Sequence, residues 1–388
     1  MIFKSIHRTS SPTNLLWSVW NLVKTWNIAF LPHSLMWVMV ITSCNLFDHS
    51  KRNPSVLVKE LKNYSESFID KGAFSGVMDV TVGMDSLFWL VYKAQSSSGD
   101  PTVMVASGKG ASWKDVLTIQ PAKKKSVKIS HPQIWMDPDG KLWIFWTKQV
   151  NYSSGIDNEI WALTGDHATD DLIRSKPFFI SDGILMGKPV LLSNGKFILP
   201  IGKGNLVFTI ASFDHGTTWN HEGMVELAED LCVHEAVCTV IECRNGSLWM
   251  LIQTSKGIWE SQSTEQGLSW SSLAPSDITS AGNPFFVQKL NSDNILLVRQ
   301  AENKSSELAA YVSYDNRQTW VGGFTLDENV RVSHITGIQA KDQLFPCCAV
   351  VSIFYSIQQD NRNEMRIKSF TEDDVIVGQK RHHSSPFH

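Results

Sequence analysis

The sequence predicts an all-β chain closed into a ring of six small sheets, a six-bladed β-propeller. Three observations carry the prediction. First, a polar turn separates apolar runs at a near-constant step: Met84-Asp85-Ser86, Pro138-Asp139-Gly140, Ser193-Asn194-Gly195, Arg244-Asn245-Gly246, Ser292-Asp293-Asn294 and Lys341-Asp342-Gln343. Measured from Asp85 through Gly140, Gly195, Gly246 and Asn294 to Gln343, the steps are 55, 55, 51, 48 and 49 residues. Self-similarity at such a period marks a repeat architecture, and Asn-Gly or Asp-Gly supplies the positive φ of a tight hairpin. Second, an independent ladder of serine-to-tryptophan turns runs Ser107 to Trp113, Ser212 to Trp219, Ser263 to Trp270 and Ser313 to Trp320. Trp113 and Trp219 are 106 residues apart, or two periods, and the next steps are 51 and 50, so one copy is missing near Leu163-Thr164-Gly165-Asp166. Third, several of the 15 tryptophans fall at matching places in the repeat, which makes their excess architectural.

Taken in order, the chain opens on a leader, residues 1–44. Its apolar stretch, Ser34 to Ser43, suits a signal peptide and is short for a membrane-spanning helix. It ends in Ile41-Thr42-Ser43-Cys44, an order that resembles the bacterial lipobox with Cys44 as the lipidated residue. Residues 1–26, with Lys4, Arg8 and Lys24, form an extended n-region or precede the start in use. The alternative is an uncleaved anchor from about Trp20 to Thr42, interrupted by Asn27, Pro32 and His33. Both put the protein at a membrane, and the lipoprotein reading makes it a secreted, envelope-bound protein. Residues 45–67 read as a polar tether, 68–378 as the propeller, and 379–388, with Lys380-Arg381-His382-His383, as a tail.

One complete unit of the propeller spans His234 to Trp270: Glu235 leads an apolar strand, Arg244 to Ser247 turn it, Leu248 to Ile252 form a second strand, and a third leads into the turn ending at Trp270. In the serine-to-tryptophan turn, Ser212 and Asp214 can bond backbone amides, Gly216 permits the reversal, and Trp219 packs into the sheet.

Composition narrows the function. The chain is 43% hydrophobic and 19% charged with a net charge of -3, and it lacks the basic footprint of a nucleic-acid partner. Lys123-Lys124-Lys125 with Lys128 reads as a solvated loop. Six cysteines in 388 residues make no disulfide framework. Cys232, Cys238 and Cys243 lack the CxxC spacing of a zinc site, and Cys347 and Cys348 sit in an apolar run. No motif calls for a metal or another cofactor. Sequons at Asn63, Asn151, Asn245 and Asn303 matter only in a eukaryotic host.

The serine-to-tryptophan turns resemble the Asp box, or BNR repeat, of sialidases. The likeness continues through Met186-Gly187-Lys188-Pro189-Val190-Leu191-Leu192-Ser193-Asn194-Gly195 with Leu199-Pro200, through Asn245 to Leu251 and Gly257 to Ser261, and through Gly322 to Glu328 and Phe370 to Ile376. The resemblance implies a sialidase-like glycoside hydrolase that acts on terminal sugars of glycans. It implies a tyrosine nucleophile assisted by a glutamate, an aspartate as acid/base, and three arginines on the substrate carboxylate. Sialidases depart from the two-carboxylate scheme of other glycosidases in that way, and arginine forks pair bidentately with carboxylates.

The sequence keeps part of this set. Glu235 stands where the family's glutamate does, and Asp100, before the strand Thr102 to Ala106, matches the acid/base. Gln253 occupies an arginine position, and Ser305 with Lys304 another. Pro284-Phe285-Phe286 lacks the arginine that precedes the phenylalanines, and Gln288-Lys289 replaces an Arg-Arg pair. Ser333-His334-Ile335-Thr336 matches the family's Ser-Tyr-Pro-Asp without its tyrosine, and no arginine stands near Val77-Met78-Asp79. Efficient sialic acid hydrolysis is therefore not expected.

The catalytic candidates are Glu235 and Asp100, paired in an inverting, water-based route, with His334 or Tyr355 replacing the lost group. An imidazole such as His334 titrates near neutral pH. Substrate-binding candidates are Gln253, which bonds a carboxylate without charge, the cations Arg299, Arg331 and Arg362, and His131 at the start of the second blade's inner strand. His215 and His221 flank an Asp box and belong on the opposite face. The leading reading is a sialidase-like exo-glycosidase acting on terminal sugars, and the alternative is a non-catalytic glycan-binding surface propeller that keeps the scaffold. Both expect a carbohydrate at the axis.

Overall fold

Successive side chains on a strand point to opposite faces of its sheet. Here both faces are apolar: Leu248, Met250 and Ile252 alternate with Trp249 and Leu251, and all five are buried. A sheet with two apolar faces must be sandwiched between two others, and a ring of such sheets satisfies every member. The computed structural model describes residues 56–60, 74–95, 101–109, 112–121, 127–152, 155–166, 169–231, 233–278, 284–300, 307–341, 349–359 and 362–383, excluding the side chains of 56–60, 152, 169–170, 233–236, 341, 359, 362 and 378–383. Within them the chain is nearly all β, with six antiparallel sheets in a ring.

Blade 1 comprises Phe74–Val82, Phe88–Gln95, Pro101–Lys109 and Ser112–Pro121, and blade 2 comprises Val127–Met136, Lys141–Tyr152, Gly155–Asp166 and Phe178–Asp182. In blade 3 two short inner strands, Ile184–Leu185 and Val190–Leu191, both pair with Phe197–Lys203, followed by Leu206–Ser212 and Asn220–Glu226. Blade 4 has Val233–Glu242, Leu248–Thr254, Gly257–Ser263 and Ala274–Pro275; blade 5 has Phe285–Lys289, Ile295–Gln300, Leu308–Ser313 and Val321–Asp327. Blade 6 has three strands, Val332–Lys341, Ala349–Gln359 and Arg362–Thr371. The first inner strand packs against those of blades 2 and 6, which closes the ring. Val56–Glu60, within the segment read as a tether, pairs with Ser112–Pro121 as a fifth strand of blade 1. A terminal helix, Glu372–His383, crosses the boundary expected at 378 and sets Val375 into the blade 5 core.

Six hydrophobic clusters fill the six seams, one between each pair of neighbouring blades. Strand parity decides the seam: Trp89 and Val91 face blade 2, while Leu90 and Tyr92 face blade 6. Each fully buried large side chain contributes about 1.5–3 kcal/mol relative to exposure. Trp146, Trp161 and Trp249 are among them, and Trp89, Trp113 and Trp143 are nearly as buried, as expected of an architectural excess.

The hairpin ladder is present as five copies of one turn. Each closes with two backbone bonds, as in Cys243 N–H to Ser247 O at 2.8 Å and Gly246 N–H to Cys243 O at 2.9 Å. Left-handed φ falls at Ser86, Gly140, Gly195, Gly246 and Asp293. The sixth copy, at Asp342-Gln343, lies outside the described residues. The Asp boxes join the third and fourth strands. In the second, Ser212 Oγ accepts from Gly216 N–H at 2.8 Å, and Asp214 Oδ1 accepts from Thr218 N–H at 2.8 Å. The hydroxyl and amide of Thr218 hold the Asp214 carboxyl below its ordinary range. The interval of the missing copy carries a short helix instead, Thr169–Arg174, with Leu172 buried.

Alternation of strand direction places hairpin turns and Asp boxes at the same end of the ring. There the hairpin turns of blades 2, 3 and 4 bond the residue after the acid of the next blade's Asp box. His215 Nδ1 lies 2.8 Å from Asp139 Oδ2, Asn194 Nδ2 donates to Gln266 Oε1 at 2.7 Å, and Arg244 N–H donates to Asn316 Oδ1 at 3.1 Å. All three Asp-box residues have left-handed φ, at 55°, 54° and 55°. Blade 6 substitutes Glu372, which accepts from Ser292 and Asn294 at 2.7 and 2.6 Å.

Candidate functional site

The other end of the ring gathers the starts of the inner strands and the ends of the second strands, and this mouth is the candidate site. Inside the ring, midway along blade 1's inner strand, lies Asp79, an acid within an apolar run. Its side chain is 3% exposed and lies 2.8 Å from Lys188 Nζ, whose side chain is 28% exposed. The other acceptor contacts of Asp79 are Thr336 Oγ1 at 2.7 Å and Ile134 N–H at 2.9 Å. One carboxylate therefore joins blades 1, 2, 3 and 6 around the axis. Burial of a charge is tolerated here because it is paired and hydrogen-bonded on both oxygens. Lys188 also donates to Val80 O at 3.0 Å, which leaves the third donor of its ammonium for a ligand.

Lys188 owes its position to the split inner strand of blade 3. Met186 O accepts from Cys238 N–H at 2.8 Å, and a Cβ at Gly187 would overlap the Cys238 carbonyl oxygen. The segment before Lys188 thus lies directly on blade 4's inner strand. That strand carries a register shift between Val233 and Cys238, and Glu235 sits inside the bulge. Bulges occur next to active sites, where they re-aim a side chain. The Glu235 side chain lies outside the described residues.

His334 and His131 both occupy inner strands near the mouth. His334 Nε2 lies 2.6 Å from Met78 O; a carbonyl only accepts, so Nε2 carries the proton. His131 has φ 49° at a bulge between Ser130 and Gln133, with Ser130 Oγ 3.0 Å from Nδ1. Burial, and then the charge of Lys93, lower its pKa to about 4, so the imidazole is neutral.

The remaining candidates are dispersed. Tyr355 is fully buried in the blade 5–6 seam and donates to Asp327 Oδ2 at 2.6 Å; Arg366 holds the same oxygen at 3.0 Å. Burial and then Asp327 push the phenol pKa up, so Tyr355 offers neither an accessible oxygen nor a phenolate. Gln253 is buried at the mouth end of its strand, on the blade 5 side with Trp249 and Leu251. Arg299 lies on the facing side of blade 5, with its guanidinium 5.4 Å from the centre of the Tyr311 ring. Arg331 is exposed just before blade 6's inner strand. Arg362 begins the last strand, but its side chain lies outside the described residues, as do Asp100 and Cys44. The structure therefore brings His131, His334 and the Glu235 backbone to the mouth and leaves Tyr355 in the core.

Sequence reasoning missed Asp79 and Lys188 as a pair. The signal was present in an acid interrupting Val77-Met78 and Val80, and in the Lys188-Pro189 step of the family-like stretch. Among the described residues, no group of three or more His, Cys, Asp or Glu is arranged to hold a metal ion. No described helix is long and apolar enough to cross a membrane.

Residues 87–345 match the BNR repeat-like domain. No curated protein sequence matches the chain. Among solved structures, a protein of unknown function from Dyadobacter fermentans is 12% identical, with a TM-score of 0.58 over 82% of this chain and 99% of its own. The K499G mutant of NanB sialidase from Streptococcus pneumoniae is 9% identical, with a TM-score of 0.60 over 81% of this chain and 71% of its own. An α-L-arabinanase from Penicillium chrysogenum, complexed with arabinobiose, is 10% identical, with a TM-score of 0.55 over 82% of this chain and 99% of its own. At such identities the likeness speaks for the fold. With two thirds of its length matched and a sialidase-like ring of six blades, the chain belongs to the BNR repeat-like domain family.

Proposed function

We propose that the protein is a glycan-binding propeller that engages a terminal sugar at the axial mouth through Lys188, without tyrosine-based hydrolysis. The observation that carries this reading is the Asp79–Lys188 pair, which holds one partly exposed cationic donor among the inner strands, where the family's arginines are not matched. A single ammonium supplies one point charge rather than a bidentate fork, which suits binding better than the strong polarisation a reaction needs. Tyr355 cannot replace the missing nucleophile, because its oxygen is spent on Asp327. The solved neighbours include a sialidase and an arabinanase bound to arabinobiose, which supports a carbohydrate ligand.

The test is binding of the full-length chain to sialyllactose and to neutral oligosaccharides, beside Lys188→Ala, with hydrolysis assayed in parallel. Saccharide binding that weakens about tenfold in the variant, without turnover, is expected. Turnover on any glycoside would overturn the non-catalytic part. A second reading, water-based hydrolysis, is favoured only by the bulge that carries Glu235; turnover abolished in Glu235→Gln would establish it. We further propose that Cys44 anchors the protein at the cell envelope through lipid, as its lipobox-like context suggests. Loss of membrane-fraction protein in Cys44→Ser tests that, and unchanged membrane association would overturn it.

A further inference from the structure

The three Asp boxes at Ser212, Ser263 and Ser313 differ at their fifth residue, where the backbone is left-handed. Two use glycine, Gly216 at φ 81° and Gly267 at φ 92°, and the third has Arg317 at φ 71°. That backbone brings a Cβ close to a carbonyl oxygen, so a side chain is disfavoured there. Asn316, just before it, is left-handed as well. The turn's own bond, Arg317 N–H to Ser313 Oγ at 2.7 Å, needs no side chain at 317. Glycine would make the same turn without the cost. Strained backbone of this kind clusters at ligand sites.

The arginine is put to a specific use. Its guanidinium lies 4.7 Å from the centre of the Trp249 ring and 3.3 Å from Glu260 Oε1. Glu260 Oε2 is fixed in turn by Trp249 Nε1 at 3.0 Å and by the Ser276 hydroxyl at 3.1 Å. These groups wall a cleft of about 370 Å³ between blades 4 and 5, with Gln262, Asp277 and the half-buried Trp320 also lining it. The cleft lies at the Asp-box end, remote from the mouth.

A guanidinium donates, a carboxylate accepts, and the half-buried Trp320 offers apolar surface, while Trp249 lies buried beneath Arg317. Neighbouring hydroxyls of a pyranose both donate and accept, and its C–H face packs on an aromatic ring. With one guanidinium against the carboxylates of Glu260 and Asp277, the cleft carries net negative charge, which disfavours an anionic sugar. We infer that this cleft is a second saccharide site, which takes a neutral pyranose through Arg317 and Glu260. The site stands independently of the axial reading, since it shares no residue with the mouth.

The experiment titrates the full-length chain with methyl pyranosides of galactose, mannose, glucose and fucose, and with sialyllactose, followed by tryptophan fluorescence. Arg317→Gly restores the Asp-box glycine, so its Tm should equal or exceed that of the parent. At least one neutral pyranoside should bind, with affinity falling about tenfold or more in Arg317→Gly and in Glu260→Gln. Arg317→Lys, which keeps the charge without the fork, should also weaken binding. Absence of neutral-pyranoside binding, binding indifferent to Arg317→Gly, or an Arg317-dependent preference for sialyllactose would each overturn the inference. Loss of binding in Lys188→Ala alone would locate the sugar at the mouth and overturn it too.

Discussion

Replacing Asp79 with alanine removes the acceptor shared by Lys188, Thr336 and Ile134. Two neutral donors, the Thr336 hydroxyl and the Ile134 amide, are then left buried, at about 1–3 kcal/mol each if nothing relaxes. Breaking a buried ion pair costs about 3–5 kcal/mol when the stranded charge stays dry. Lys188 is 28% exposed and can turn to water, so most of that second penalty is discounted. The combined loss is about 3 kcal/mol, which lowers Tm by about 6 °C in a domain of this size. Lys188→Met strands the other partner, and the Asp79 side chain, at 3% exposure, has no comparable route to water. Its loss should equal or exceed that of Asp79→Ala. The double variant should cost about 1.5 kcal/mol less than the two single losses together, since each single change strands the other's charge. Thermal unfolding followed by near-ultraviolet circular dichroism measures all three. A drop below about 2 °C in Asp79→Ala, or additive losses in the double variant, would refute the account of Asp79 as the node joining four blades.

Three further outcomes are expected. The His131 imidazole titrates lower in the folded chain, at about 4, than its ordinary 6.5, so the unfolded chain takes up the proton first. Stability is therefore full above about pH 6.5 and falls by about 3 kcal/mol toward pH 4; urea titrations across that range should show a shallower fall in His131→Asn, which keeps the left-handed backbone. Gly195 and Gly216 have matching φ, 84° and 81°, but a Cβ meets nothing within 4 Å at 195 and Trp143 Cη2 at 2.5 Å at 216. Gly195→Ala should cost about 1 kcal/mol and Gly216→Ala about twice that or more, with equal losses counting against the packing argument. Tyr355→Phe should cost about 1.5–3 kcal/mol by removing the bond to Asp327 and leave saccharide binding unchanged; altered binding would restore Tyr355 to the site.

Much of the ring was legible because its instructions are local. A left-handed residue two or three positions into a turn, and a serine or aspartate bonding amides two to four residues on, are decided within one short segment. Alternation along Leu248 to Ile252 sends both faces to apolar seams, and repetition of that pattern sets the number of blades. The missing Asp box before Thr169 was readable for the same reason.

The site was less legible because its contacts are distant. Asp79 reaches Ile134 across 55 positions and Thr336 across 257, and nothing local to Val77-Met78-Asp79 names those partners. Tyr355 resembles a replacement nucleophile in sequence, yet the seam with blade 5 hands its hydroxyl to Asp327. Arg317 is visible as an arginine in a glycine's place, but only the docking of blade 5 on blade 4 sets it over Trp249 and beside Glu260, 57 positions away. By itself the sequence determined the turns, the period and the apolar alternation, because short-range backbone chemistry and strand parity suffice for them. The tertiary structure decided which polar groups meet at the mouth and in the blade 4–5 cleft, because those meetings exist only once the closed ring brings remote strands into contact.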